Sequence, residues 1–110
     1  MSERSPELLL EDILEACERI IEYTRDLTYE DFRKNYLVVD AVIRNFTIIG
    51  EAAGRISTEF RDNHNDIEWN RIKGFRNRIV HDYFGIDYQI VWIIIENNIP
   101  ELRDLIKRII

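Results

Sequence analysis

One stretch of the chain gathers the residue types needed for phosphate chemistry. It reads Arg71-Ile72-Lys73-Gly74-Phe75-Arg76-Asn77-Arg78-Ile79-Val80-His81-Asp82-Tyr83-Phe84-Gly85. Residues 70–81 carry four cations (Arg71, Lys73, Arg76 and Arg78) and no carboxylate. A histidine titrates near neutrality, so it can take a proton from a ribose 2′-hydroxyl or return one to a leaving oxygen. An arginine can grip a phosphate through two parallel N–H bonds and stabilise the charge that develops there. His81 and Arg76 are the candidates for these two roles, with Asn77 as a polar support and Arg78 and Lys73 as further phosphate contacts. Together they would cleave RNA without a metal ion. On an ideal helix Arg76 and His81 are about 140° apart, so they do not share one face. They meet only at a helix rim near its C-terminal end, or in a site completed by a second subunit. A plainer reading stands beside this one: Arg76 pairs with a carboxylate of the acidic front half, and His81 caps a helix C-terminus.

The elements that must position these residues read as helices. Ser5 suits an N-cap, with Pro6 at the first helical position, and the first helix is expected to end near Arg25. Its apolar stripe is Leu10, Ile13, Leu14, Cys17, Ile20, Ile21 and Tyr23. Thr28 suits the next N-cap, with Glu30 and Asp31 at the positive end of the helix dipole. The stripe from Phe32 to Phe60 predicts one long second helix. Gly50 and Gly54 lie inside it, where each glycine costs about 1 kcal/mol relative to alanine, which points to close approach of another backbone. A third helix is expected from about Asp66 to Tyr83, with Ile72, Phe75, Ile79 and Val80 facing inward. Gly85 suits a helix stop and Asp87 the N-cap of a fourth helix to about Asn97. Pro100 then opens, or kinks into, a last helix ending at Ile109. The β-branched run Val91-Trp92-Ile93-Ile94-Ile95 has no partner strand and is read as helix. The expected fold is all-α: an antiparallel up-and-down bundle of four to five helices.

Composition narrows the function classes. A chain of 110 residues fits one domain, 1–110, with a sizeable core. One Cys excludes an internal disulfide and a Cys-based zinc site, and favours a reducing cytoplasm. The longest charge-free apolar run, Tyr88 to Ile95, has 8 residues. A membrane span needs about 20. Met1-Ser2-Glu3-Arg4-Ser5-Pro6-Glu7 does not read as a signal peptide. The net charge of −6 disfavours indiscriminate coating of nucleic acid or anionic membrane, yet leaves room for a focused basic site. The first 31 residues hold 10 of the acidic side chains and 3 basic ones.

Other chemistry-bearing residues read more simply. His64 sits in the polar run Asn63-His64-Asn65-Asp66 without a second histidine nearby, and a solvated loop is the expectation. Cys17 lies in an apolar stripe and reads as a small hydrophobe. The acidic face of the first helix is expected to be solvated, with docking of a basic partner as the alternative. Trp69 and Trp92 are expected in the core rather than as anchors of a dimer face.

Arg76-Asn77-Arg78-Ile79-Val80-His81-Asp82-Tyr83 resembles the Arg-x4-His-x-Tyr motif of HepT-like toxins, members of the HEPN superfamily. Asp40-Ala41-Val42-Ile43-Arg44-Asn45, Ile48-Ile49-Gly50-Glu51-Ala52-Ala53, and Tyr83-Phe84-Gly85-Ile86-Asp87 followed by Val91-Trp92 resemble the same family in order and spacing. Gly54 departs from the family pattern, which has a larger polar residue there, but it touches no motif position. The resemblance implies a helical bundle that forms homodimers with two motifs facing across the two-fold axis. It implies metal-independent endoribonuclease activity, with Arg76 and His81 catalytic, Asn77 in support and no cofactor. It further implies a toxin paired with a minimal nucleotidyltransferase antitoxin of the MntA type, which transfers AMP to the motif tyrosine, here Tyr83. Two rivals remain: a non-catalytic nucleotide- or substrate-binding accessory of that nucleotidyltransferase, and a purely structural dimeric bundle.

Overall fold

The computed structural model describes residues 4–81 and 85–110, with the side chains of Val80 and His81 left aside. The chain starts helical where Ser5 caps it. The Ser5 hydroxyl accepts a hydrogen bond from the Leu8 amide at 3.2 Å, and Pro6 opens α1 (Pro6–Thr24). Leu9, Leu10, Ile13, Cys17 and Ile20 are buried on one side, while Glu11, Glu15, Glu18 and Glu22 stay exposed. Thr28 caps α2 (Tyr29–Lys34) in a reciprocal box: its hydroxyl accepts from the Asp31 amide at 3.1 Å, and the Asp31 carboxylate accepts from the Thr28 amide at 3.2 Å.

The long second helix expected from the apolar stripe is instead three helices. Asn35 leaves the helical region at ψ 89°, and its side-chain oxygen accepts from the Val38 amide at 3.1 Å, starting α3 (Tyr36–Arg55). Ile56 is extended, and the Ser57 hydroxyl then accepts from the Phe60 amide to start α4 (Thr58–Asn63). The breaks have one cause. A short polar side chain offers the amide three residues ahead a nearer acceptor than the helix does. The core resumes in α3 only from Val39 onward: Tyr36, expected in the stripe, is 72% exposed, and α4 buries no residue, with Phe60 only packing against the core.

The expected helix from Asp66 to Tyr83 is also divided, into α5 (Trp69–Lys73) and α6 (Phe75–Ile79). The Gly74 amide closes α5 on the carbonyls of Asn70 and Arg71. Helix α6 ends at Ile79 because the Ile79 carbonyl accepts from the Asp87 amide at 2.8 Å. The next two residues form a short strand, β1 (Val80–His81), antiparallel to β2 (Gly85–Ile86). This ladder corrects the expectation of a strand-free chain. Its register pairs Val80 with Ile86 and His81 with Gly85. Gly85 has φ +85°, a left-handed value that favours glycine. Gly85 therefore serves the ladder, opposite His81, rather than a helix stop.

Asp87 caps α7 (Tyr88–Ile93) as expected, accepting from the Ile90 amide at 3.2 Å. A π-helical turn, Ile94–Asn98, leads directly into α8 (Ile99–Ile109). The Ile99 amide reaches back five residues to the Ile94 carbonyl, just ahead of Pro100, which has no amide to give. The kink expected at Pro100 is thus absorbed one turn earlier, and the Asn97 side chain donates to the Ile93 carbonyl at 3.0 Å.

The architecture is the all-α bundle expected from the sequence, with one two-stranded ladder added. Helix α1 packs chiefly on α3 and next on α8, while α5 and α6 lie on another side of α3. Cys17 is fully buried, and burial pushes its thiol up to about 12 despite the opposing pull of Arg103. It behaves as the small hydrophobe expected. Trp69 is buried and donates its indole N–H to the His64 carbonyl at 3.0 Å. Trp92 joins α7 to α2 by packing on Phe32 and Tyr29, with ring centroids 5.2 and 6.3 Å apart. His64 stacks on Phe60 at 4.5 Å.

The two glycines of α3 differ in what they permit. A Cβ added at Gly50 would stand 3.1 Å from the Lys73 carbonyl oxygen, a backbone atom. This is the close backbone approach expected there. A Cβ at Gly54 would meet only the methylenes of Lys73, at 3.6 to 3.8 Å. Gly54→Ala is therefore expected to stabilise the fold by about 0.5–1 kcal/mol through helix propensity. Gly50→Ala is expected to gain nothing or to lose stability. Urea unfolding of both variants checks the pair, and equal gains would contradict the crowding at Gly50.

Candidate nucleic-acid interface

The basic segment is held on α3 by its apolar residues. The Lys73 carbonyl rests over Gly50, and the Lys73 stem lies along Gly54. Phe75 is 1% exposed and meets Phe46 of α3 edge to face, with centroids 5.9 Å apart and rings at 79°. Ile79, one turn later, is fully buried. Five residues are too few to be helical alone, so packing keeps α6 folded.

With Phe75 and Ile79 turned inward, the three residues between them face out. Arg76, Asn77 and Arg78 are all exposed, as is Lys73. Among the described residues no carboxylate pairs with Lys73, Arg76 or Arg78. Arg71 differs: it is held by Glu68 at 3.3 Å. The pairing of Arg76 with the acidic front half, one of the two readings left open, is therefore not made. A surface guanidinium without an internal carboxylate keeps all its donors for an external anion.

His81 follows immediately, but not on the helix. Its backbone belongs to β1, opposite Gly85. The rotation of about 140° that an ideal helix would impose does not apply, because the helix stops at Ile79. The geometric hint that this rotation lent to a second subunit falls away with it. The carbonyl of Ile79 is satisfied by the Asp87 backbone, which ties the start of α7 to the end of α6. Tyr83, with Asp82 and Phe84, lies outside the described residues.

The structure thus places Lys73 at the end of α5 and Arg76, Asn77 and Arg78 on α6, all exposed, with the His81 backbone three residues beyond Arg78. Two contributors are not evident from motif spacing. Lys73 is as much a packing residue as a cation, and only the Gly50/Gly54 spacing hinted at it. Asp87 fixes where α6 ends, which its reading as a helix cap does not reveal.

Comparison with known proteins identifies the family of the chain. Residues 13–109 match the family model described as "Ribonuclease HepT-like". A protein of Caldanaerobacter subterraneus subsp. tengcongensis named "Putative RNase" is 39% identical over 107 residues, covering 97% of this chain and 96% of the relative. A Methanocaldococcus jannaschii protein with the same descriptor is 40% identical over 103 residues, covering 94% of each chain. A protein of Thermococcus cleftensis named "Probable ribonuclease HepT" is 38% identical over 106 residues, covering 96% of each. No solved structure matches the chain. Among the described residues no helix is long and apolar enough to cross a membrane. The match over nearly the whole chain, including the exposed basic helix and the histidine behind it, establishes that this protein belongs to the HepT-like ribonuclease family.

Proposed function

We propose that the chain is a metal-independent endoribonuclease, the toxin half of a cytoplasmic toxin–antitoxin pair, working as a homodimer. The observation that carries this reading is the exposed, carboxylate-free set Arg76, Asn77 and Arg78 beside His81. Arg76 grips the scissile phosphate and stabilises the charge that builds on its oxygens. His81 takes the proton from the ribose 2′-hydroxyl as that oxygen attacks phosphorus, or protonates the departing 5′-oxygen. The products are a 2′,3′-cyclic phosphate and a free 5′-hydroxyl. Asn77 orients either group, and Arg78 and Lys73 hold neighbouring phosphates. The overall charge of −6 keeps RNA from binding elsewhere, while the cationic segment focuses it on the site.

Tyr83 is the proposed regulatory residue. A nucleotidyltransferase antitoxin of the MntA type would transfer AMP from ATP to its hydroxyl, releasing pyrophosphate. That puts bulk and negative charge two residues from His81, which repels an RNA phosphate.

The test is RNA cleavage in EDTA by the unmodified protein, with and without prior incubation with ATP and the nucleotidyltransferase. Cleavage is expected from the unmodified protein and is lost after incubation. In Tyr83→Phe, cleavage is expected to survive the same incubation. An unmodified protein that binds ATP tightly and leaves every RNA intact would instead mark a nucleotide-binding accessory of the nucleotidyltransferase.

A further inference from the structure

Helix α3 carries four charges that the fold leaves unused. Asp40, Arg44, Glu51 and Arg55 are all exposed. On a helix turning about 100° per residue they fall within about 60° of one another, so they line one face. Asp40 with Arg44, and Glu51 with Arg55, have the i,i+4 spacing and order that favour ion pairs along a helix. Elsewhere the chain uses such local pairs: Arg19 with Glu15, Arg33 with Glu30, and Arg71 with Glu68. Among the described residues none of the four α3 charges has a partner.

The same face carries apolar surface. Ile43, Thr47 and Ile48 are half-buried on its flanks and at its centre. Leu37, on the same line near the start of the helix, is 84% exposed. A face of this kind, with a row of unpaired charges and open aliphatic surface, suits a protein partner better than water.

The order of the charges identifies the partner. Read from the N-terminus the row is negative, positive, negative, positive. Its midpoint lies between Thr47 and Ile48. Turned end for end about that midpoint the row becomes its own complement. Arg44 then faces Glu51 of the second copy, and Asp40 faces Arg55, each pair occurring twice. A parallel arrangement would set like against like. We infer that this face of α3 is the docking surface for a second copy of the chain, with the two α3 helices antiparallel and the two-fold axis passing near Thr47 and Ile48. The inference rests on the homodimer reading and adds to it the face and the register. Because Lys73 lies along Gly54, next to Arg55, each copy's basic segment borders this contact.

The test is charge reversal read by sedimentation of the full chain at low ionic strength. Arg44→Glu sets two carboxylates against each other twice per dimer, and Glu51→Arg does the same with two guanidinium groups. Each single variant is expected to raise the dimer dissociation constant about tenfold or more. The variant carrying both R44E and E51R is expected to dimerise again. So is an equimolar mixture of the two single variants, which form a mixed dimer. Glutamate and arginine are both good helix formers, so circular dichroism is expected to match wild type throughout. Single variants that dimerise like wild type overturn the assignment of this face, including the case where they lose only nucleotidyltransferase binding. Weakening that neither the double variant nor the mixture restores overturns the register. A wild-type chain that stays monomeric overturns the homodimer reading itself, a result separable from the other two.

Discussion

Replacing His81 by alanine is expected to lower RNA cleavage by about 10²–10⁴-fold, the usual contribution of a positioned general acid or base. The fold is expected to survive. The β1–β2 ladder is built from main-chain groups, and alanine keeps both of them at position 81. The end of α6 is held by the Asp87 amide on the Ile79 carbonyl, which the substitution does not touch. RNA affinity is expected to change little, because the proposed phosphate contacts are Lys73, Arg76 and Arg78. The loss therefore falls on kcat more than on KM. The measurement is single-turnover cleavage of a labelled RNA in EDTA, beside RNA binding and a thermal melt. A variant with the wild-type rate would remove His81 from the chemistry. A variant that fails to fold would show up in the melt, and His81→Gln would then carry the same test.

The largest expected stability effect lies beneath the site. Phe75→Ala is expected to cost about 3–5 kcal/mol, the range for deleting a buried aromatic ring with incomplete collapse around the gap. Phe75 is 1% exposed and holds α6 against Phe46 of α3. Domains of this size have about 5–15 kcal/mol of stability, so the loss is a large share. It is expected as a lower urea midpoint with little change in slope. Cleavage is expected to fall further than the folded fraction does, because α6 without its ring no longer fixes Arg76 and Asn77 in one orientation. Phe75→Leu, which keeps most of the volume, is expected to lose far less of both. A cost under about 1 kcal/mol for Phe75→Ala would show that α6 is held by something other than this ring.

Much of the scaffold was legible in the chain because its signals are local. Ser5, Thr28 and Asp87 each stop a hydrogen-bonding amide three residues ahead, and each starts a helix where expected. The period of the apolar residues marks the inner faces of α1 and α3, except at Tyr23 and Tyr36, which the fold leaves exposed. The Gly50/Gly54 pair announced a close neighbour, and Lys73 is that neighbour. The basic segment, and its likeness to HepT-like proteins, needed no coordinates.

Other features were decided only by tertiary structure. Asn35 and Ser57 can sit within a helix or cap one, and the choice depends on where α2 and α4 must turn to pack. Nothing between Phe75 and Tyr83 breaks a helix by itself. The helix ends at Ile79 because an amide eight residues away takes its carbonyl, and Val80 and His81 gain ladder partners in exchange. Which charges remain unpaired was equally hidden, since an ion pair depends on where side chains lie in space. Arg71 finds Glu68, whereas Arg76, Arg78 and the four charges of α3 find no carboxylate or cation among the described residues. Local hydrogen bonds and periodicity can be read along a chain. The availability of a group for a ligand depends on everything folded around it, and that is a property of the packed molecule.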